Sequence, residues 1–200
     1  MLGLLKARFM FTSSNDENED YASFLIKHGD NVKDVAFKVN DLNSTLQCIL
    51  KNGGYLLSDA KTLSDKFGSV EIATVATAQS DMRHTLIEAH NYKGIFLPGF
   101  SAYKNNFLAE KLERIPVATL DHVVENFPVG GMDDVTKWYH DTLNLQRFWS
   151  IDENVCHSEY SAMKSILLTN PSHSIQVAIA EPVPNTKRGR SQIQVNDQLN

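Results

Sequence analysis

Hydrophobic residues recur at helical spacing in two segments of the chain and alternate with polar residues in the segments around them. The apolar positions of the first helical segment share one face and are Leu42, Leu46, Ile49 and Leu50. Asp41 stands before this segment, where its carboxylate can accept hydrogen bonds from the first amides, and Gly53 and Gly54 follow it. The pattern therefore predicts a helix over Leu42–Lys51.

A second helix is predicted over residues 133–143. Its apolar positions also share one face and are Val135, Trp138, Tyr139 and Leu143. Asp133 and Asp134 lie in its first turn, where the helix dipole favours negative charge. Periodicity and charge together predict this second amphipathic helix.

Strands are predicted where apolar and polar residues alternate over short runs. The predicted strands are 7–13, 35–39, 55–58, 70–77 and 85–89 in the first half, and 119–124, 146–151, 160–169 and 174–180 in the second. Each helix therefore stands in a β-α-β-β-β unit, and the two units align at an offset that places Val35 opposite His122. A unit that occurs twice indicates a duplicated structural element. Residues 14–20 are acidic and polar and predict a loop, and 91–116 contain glycine and proline and predict a linker.

Composition excludes several classes of partner. The net charge is −5, which gives no basic surface for nucleic acid or anionic lipid. No apolar run approaches the ~18 residues of a membrane span, and the first residues lack the basic leader of a signal peptide. Cys48 and Cys156 lie far apart and predict free thiols in a reducing compartment. We therefore expect a cytoplasmic protein that binds neither nucleic acid nor membrane.

Seven short stretches, in one order along the chain, resemble the 4-hydroxyphenylpyruvate dioxygenase family. They are residues 28–37 (HGDNVKDVAF), 84–88 (HTLIE), 91–100 (NYKGIFLPGF), 120–124 (LDHVV), 146–150 (QRFWS), 181–184 (EPVP) and 191–194 (SQIQ). Each stretch is unspecific by itself, but their order and spacing across about residues 7–194 make the resemblance specific. It implies an α+β fold of repeated β-α-β-β-β units of the vicinal-oxygen-chelate type, which pair into a cupped sheet around a metal.

The resemblance also implies a reaction and a metal. Enzymes of this family convert 4-hydroxyphenylpyruvate and O2 to homogentisate and CO2 in tyrosine breakdown. They hold Fe(II) with two histidines and one glutamate, an arrangement that leaves positions open for the substrate and for O2. A related branch, similar to hydroxymandelate synthase, uses the same substrate and iron but oxidises the side chain, and it remains an alternative.

Three residues of this sequence match family positions in the site. His122 matches the first iron ligand, and Ser165 and Gln192 match residues that line the substrate pocket. Without the resemblance, a lone strand histidine would be interpreted as a core or edge residue. By alternation His122 shares a face with Leu120 and Val124, which predicts that it points into the cup and that Asp121 faces the opposite side.

One family pocket residue is replaced. The family has an asparagine just before its Glu-Pro segment, and this sequence has Ala180 there. A methyl group cannot form a hydrogen bond with a substrate oxygen, so the polarity of the pocket is expected to differ. The remaining candidate carboxylates, Glu88 and Glu181, match no family ligand, and we assign no catalytic residue beyond the ligand and pocket positions.

The resemblance divides the chain into four parts. Residues 1–90 are the remainder of an N-terminal vicinal-oxygen-chelate domain, 91–116 a linker, 117–194 the first half of the catalytic domain and 195–200 an unrelated polar tail. No residue matches the family's second histidine or its glutamate ligand. We therefore expect an inactive fragment of a dioxygenase. The alternative is a non-enzymatic module that pairs with a full-length subunit, and in either case incomplete sheets predict self-association or a homo-oligomer.

Overall fold

The computed structural model describes residues 8–13, 19–102, 107–113, 119–159 and 162–183. The helices in these ranges are α1 (Glu19–His28), α2 (Leu42–Lys51), α3 (Phe107–Lys111) and α4 (Met132–Leu143). The strands are β1 (Phe37–Val39), β2 (Leu56–Asp65), β3 (Gly68–Ala76), β4 (Arg83–Glu88), β5 (Val123–Asn126), β6 (Gln146–Ile151), β7 (Met163–Thr169) and β8 (Gln176–Pro182).

The strands form two four-stranded sheets with the same topology. Their orders are β1-β4-β3-β2 and β5-β8-β7-β6. In each sheet the first strand pairs in parallel with the last, and the other neighbours are antiparallel. The predicted α+β class with two β-α-β-β-β units is confirmed, with α2 and α4 as the crossover helices.

Helix α2 has the predicted bounds, and its caps follow the predicted chemistry. The carboxylate of Asp41 accepts a hydrogen bond from the Ser44 amide at 2.8 Å. A Cβ at Gly54 would lie 2.4 Å from the side chain of Ile49, so glycine is required at this position after the helix. The buried residues of the helix face its sheet and are Leu42, Leu46 and Ile49.

Helix α4 begins one residue before the predicted start. Gly131 precedes it and offers no side-chain cap. Glu181 of β8 supplies that function instead, because its Oε2 accepts hydrogen bonds from the amides of Gly130 at 2.9 Å and Met132 at 3.2 Å. The helix ends at Asn144, which has a left-handed backbone conformation.

The two units pack through their helices. Helix α2 contacts α4, and Asn52 donates from Nδ2 to the carbonyl oxygen of Asp141 at 2.7 Å. Phe37 and Leu143 pack against the apolar core of both units, so the two cores are continuous. The helix-covered face of each sheet is therefore turned inward, and the opposite face of each sheet is open.

Several predicted elements differ from the structure. Residues 8–13 form no strand, although a strand was predicted over 7–13. The predicted loop over 14–20 overlaps the start of α1, and the predicted linker over 91–116 contains α3. Strand β2 extends to Asp65, well beyond the predicted end at 58, because it forms a long hairpin with β3. In the described part of the chain, no helix is long and apolar enough to cross a membrane.

Candidate functional site

His122 lies directly before β5, on the open face of the second sheet. Alternation along β5 decides this, since Val123 packs against the core and Glu125 is buried on the α4 side. His122 and Val124 therefore share the other face, as predicted. That face is exposed: Val124 is 51% exposed, and the side chain of His122 is 42% exposed. The face into which His122 was predicted to point is therefore open to solvent in this chain.

Asp121 does not face away from His122, which corrects another expectation. Its Oδ2 lies 2.6 Å from Nδ1 of His122. Gln176 orients Asp121, because Nε2 of Gln176 donates to the backbone oxygen of Asp121 at 3.2 Å and to its Oδ1 at 3.3 Å. A carboxylate at Nδ1 favours the tautomer with its proton on that atom, which leaves the lone pair of Nε2 available to a metal.

Ser165 lies on the same open face as His122. It stands on β7 between Lys164 and Ile166, and Ile166 packs against the core beneath α4. The register pairs Ser165 with Ala180 of β8, and Ala180 with Asn126 of β5. The face therefore carries Ser165 and Ala180 on the adjacent strands β7 and β8, and His122 directly before the neighbouring strand β5.

A cavity of about 330 Å³ opens beside Ser165. Its lining includes Met132, Arg147, Ile151, Lys164 and Ile166 but not His122. The cavity therefore does not join the two candidate residues in one pocket. Gln192, the third candidate, lies outside the described residues.

The described residues do not form a complete metal site. Among them, no group of three His, Cys, Asp or Glu side chains could hold a metal ion together. Glu88 and Glu181, the unmatched carboxylates, act at helix starts: Glu88 accepts from the Leu42 amide at 2.6 Å, as Glu181 does at α4. In this part of the chain, the residues thus offer one candidate ligand, His122, and do not by themselves fit an iron held by two histidines and one glutamate.

The strand registers correct the predicted alignment of the two units. In the first sheet Phe37 pairs with Leu86, which lies two residues before Glu88. In the second sheet Glu125 pairs with Ile179, which lies two residues before Glu181. Since Glu88 and Glu181 both bind the start of a crossover helix, Phe37 and Glu125 occupy equivalent positions. The structural equivalent of His122 is therefore Asp34, one residue before the predicted Val35. Asp34 accepts hydrogen bonds from the amide and hydroxyl of Thr85, on the open face of the first sheet. A shift of one residue matters because it moves a side chain to the other face.

Comparison with known proteins agrees with this architecture. Residues 119–196 match the family model of the glyoxalase/bleomycin resistance protein/dioxygenase superfamily. A Caenorhabditis elegans protein whose name states no activity is 43% identical over 188 residues, which cover 94% of this chain and 51% of that protein. The 4-hydroxyphenylpyruvate dioxygenase of the same organism is 40% identical over 191 residues, which cover 94% of this chain and 48% of the enzyme.

A solved structure shares the fold. It is a mutant of 4-hydroxymandelate synthase from Streptomyces coelicolor, with a TM-score of 0.66, 21% identity, and coverage of 90% of this chain and 51% of that one. This chain thus spans about half the length of the relatives it matches. The resemblance predicted from the sequence is confirmed: the chain is similar over 94% of its length to a 4-hydroxyphenylpyruvate dioxygenase, and its residues 119–196 match the model of the glyoxalase/bleomycin resistance protein/dioxygenase superfamily.

Proposed function

We propose that this chain supplies one iron ligand and one wall of the substrate site of a 4-hydroxyphenylpyruvate dioxygenase. Such an enzyme is Fe(II)-dependent and converts 4-hydroxyphenylpyruvate and O2 to homogentisate and CO2. The observation that carries the proposal is the common face of His122 and Ser165, in a chain similar over 94% of its length to an enzyme of that name. The proposed division is that 1–90 belong to the N-terminal domain, 91–116 to a linker, 117–194 to the catalytic domain and 195–200 to a polar tail.

The candidate side chains have separate parts in this proposal. Iron, when bound, supplies the oxygen chemistry. Asp121 holds the proton of His122 on Nδ1, so that Nε2 is the atom that binds. Ser165 can donate a hydrogen bond to a substrate oxygen, and Gln192 is proposed to do the same. Ala180 offers only a methyl group.

Asn126 compensates for part of the polarity that Ala180 lacks. It pairs with Ala180 in the register and lies on the same face of the sheet. Its side-chain amide can both donate and accept a hydrogen bond. The second candidate is a hydroxymandelate synthase-like paralogue, which takes the same substrate to a different product; a solved structure of a 4-hydroxymandelate synthase mutant has the same fold.

The chain by itself is proposed not to turn over substrate. One imidazole cannot hold Fe(II) against water, because weakly bound metals need several converging ligands. The open face is also exposed, so a reactive intermediate there would meet solvent. A cytoplasmic location and an absence of nucleic-acid and membrane partners remain parts of the proposal. The proposed partner is a second copy or a homologous subunit that covers the face.

The test follows the side chains of the open face by NMR in an anaerobic sample. Zn(II), which binds nitrogen ligands more tightly than Fe(II), replaces Fe(II) as a diamagnetic probe in large excess over the protein, so that a single imidazole can be occupied. 4-Hydroxyphenylpyruvate is added afterwards. We expect the signals of His122 and Ser165 to shift together in the wild type, and His122→Ala to abolish the metal-dependent shift of Ser165. His140→Ala is the matched control, since His140 also lies beside a neighbouring carboxylate, that of Asp141 at 2.9 Å.

Two outcomes would contradict the proposal. The first is that His140→Ala abolishes the shift of Ser165 as fully as His122→Ala does. The second comes from reconstitution with Fe(II) and measurement of oxygen uptake, in which the isolated chain is expected to be inactive. Uptake that depends on His122 would mean that these 200 residues hold a complete site. The product, homogentisate or hydroxymandelate, would then separate the two candidate reactions.

A further inference from the structure

Three polar side chains are buried together where the two units meet. They are His84 of β4, Tyr139 of α4 and Glu125 of β5, with exposed fractions of 0%, 0% and 8%. Nδ1 of His84 lies 2.7 Å from the carbonyl oxygen of Val35, and its Nε2 lies 2.7 Å from the hydroxyl of Tyr139. That hydroxyl also forms a short hydrogen bond with Oε1 of Glu125. We call these three side chains the buried triad; it links the first unit to the second.

The contacts fix how many protons the buried triad needs. The carbonyl of Val35 can only accept, so Nδ1 of His84 carries a proton. Tyr139 has one hydroxyl proton but stands between two atoms that can both accept, His84 Nε2 and Glu125 Oε1. All three hydrogen bonds can form together only if one further proton is present, either on Glu125 or on Nε2 of His84.

Burial places that further proton on Glu125. An ion pair of carboxylate and imidazolium would require two charges in an apolar core, which is costly. Burial raises the pKa of Glu125 to about 7 although the Tyr139 hydroxyl lowers it, and burial lowers the pKa of His84 to about 4. Within the described part of the chain, Oε2 of Glu125 is buried without a hydrogen-bond partner, which a neutral carboxyl tolerates better than a charged one.

Among the described residues, no charged side chain outside the triad forms a hydrogen bond or ion pair with it. The rings of Phe37 and Trp138 pack beside the triad, with centroids 4.7 Å from His84 and 5.0 Å from Tyr139 respectively. The charged groups of the packed elements pair elsewhere: Arg83 with Asp20, Glu88 with His90, Lys137 and His140 with Asp141, Glu181 with Lys164, and Asp134 with Gln79. Lys38 of β1, Lys51 of α2 and Asp133 of α4 are exposed, and Asp34 before β1 accepts hydrogen bonds from Thr85. The protonation of the triad is therefore decided by its own members.

We propose that the buried triad is a proton-dependent contact between the two units, in which protonated Glu125 keeps Tyr139 hydrogen-bonded to His84. When Glu125 loses its proton to solvent, Tyr139 donates to the carboxylate, because hydrogen bonds to charged acceptors are stronger. Nε2 of His84 then faces the phenol oxygen with no proton between them, which leaves a buried acceptor unsatisfied. The bond that breaks is the one between β4 and α4, so the contact between the units weakens as pH rises through neutrality.

Glu125→Gln tests the proposal because an amide donates to Tyr139 at every pH. We compare the unfolding equilibrium constants of this variant and the wild type at pH 5.5 and pH 8. Between pH 5.5 and pH 8, the unfolding constant of the wild type is expected to rise by roughly thirtyfold relative to that of the variant. This is the change that a pKa of about 4.5 in the unfolded chain and about 7 in the folded protein requires. Glu71→Gln, an exposed strand position, is the matched control and is expected to show no change. A constant ratio for Glu125→Gln would overturn the proposal.

The wild type provides a second test that needs no variant. The ¹⁵N shifts of the His84 ring report which nitrogen carries a proton. At pH 6 we expect a proton on Nδ1 and a hydrogen-bonded lone pair on Nε2, and a shift of the Nε2 signal with a midpoint near pH 7. An imidazolium signal at pH 6, or an Nε2 signal unchanged between pH 5.5 and 8, would overturn the proposal even if Glu125→Gln did not fold.

Discussion

Glu88 and Glu181 occupy the same place in the two units. Each lies at the end of the strand that pairs in parallel with the first strand, and each carboxylate accepts hydrogen bonds from the first amides of its unit's helix. A carboxylate at this end of a helix also interacts favourably with the helix dipole. The two units therefore fix the start of their crossover helix by the same contact, made across the fold rather than from the preceding loop.

Removal of this carboxylate is expected to destabilise the protein more in the second unit than in the first. Glu181 is buried and also pairs with Lys164 at 2.8 Å, so Glu181→Gln leaves that ammonium without its partner. We expect a loss of about 2 kcal/mol in the free energy of unfolding at pH 7. Glu88→Gln, the matched variant in the first unit, is expected to cost about 1 kcal/mol. Urea denaturation measures both.

The effect of Glu181→Gln should depend on pH with a definite sign. Burial opposes the charge of Glu181, but Lys164 and the two amides outweigh it and lower its pKa below the usual 4.5. A lowered carboxyl pKa contributes stability above the unfolded value and loses it as pH falls through the folded value. The difference between wild type and variant should therefore shrink below about pH 4.5. An equal difference at pH 7 and pH 3 would contradict this account.

Tyr139→Phe tests the hydrogen bonds of the buried triad directly. The substitution keeps the ring but leaves Nε2 of His84 and the carboxyl of Glu125 without the hydroxyl that joins them. Buried groups left unsatisfied cost about 1–3 kcal/mol each, so a loss of at least about 2 kcal/mol is expected at pH 6. Tyr55→Phe removes an exposed hydroxyl and is expected to change stability by less than about 0.5 kcal/mol. Equal effects of the two variants would show that the triad is not a stabilising contact.

A Glu125→Gln background isolates the titration of His84. Burial lowers the pKa of His84 to about 4 in the folded protein, against about 6.5 when unfolded. The unfolded chain then binds more protons between these values, so stability falls as pH decreases from 6.5 to 4. The expected loss is about 3 kcal/mol. In the wild type, folding moves this proton from His84 to Glu125, so the two groups nearly cancel and a flatter profile is expected from pH 4.5 to 6.5.

The helices and most strands could be predicted because local periodicity decides them. Helix α2 has its predicted bounds, and α4 differs by one residue. Helix α1 was missed although Tyr21, Phe24 and Leu25 are spaced at three and four residues, which is a helical signal. The acidic and polar residues 14–20 predict a loop, and this prediction overlaps the first residues of the helix.

The candidate site was harder to predict because its features depend on register and burial. Alternation assigned His122 to the face of Val124 but could not show that this face is open in the chain. The contact of Asp121 with His122 depends on a side-chain rotation that alternation does not describe. The buried triad joins residues 84, 125 and 139, whose proximity arises only when the two units pack.

The open face of the second sheet is expected to bind the proposed partner, a second copy of the chain. Leu120, Val124 and Trp149 are 50%, 51% and 60% exposed, and Leu167 lies between Val124 and Trp149 in the strand order. Apolar side chains clustered on one sheet face favour association, because water is released when they are covered. We expect light scattering after size exclusion to give a mass above the 22.4 kDa of one chain.

Trp149→Lys should reduce the association constant by at least about tenfold, since it places a charge where apolar surface would be buried. Leu50→Lys on α2 is the matched control, because Leu50 is also exposed but lies away from this face. It is expected to leave the mass unchanged. A stable monomer in the wild type, or equal effects of the two variants, would show that the open face does not bind a second copy. A partner of different sequence would then be sought by the same measurement with a homologous full-length subunit.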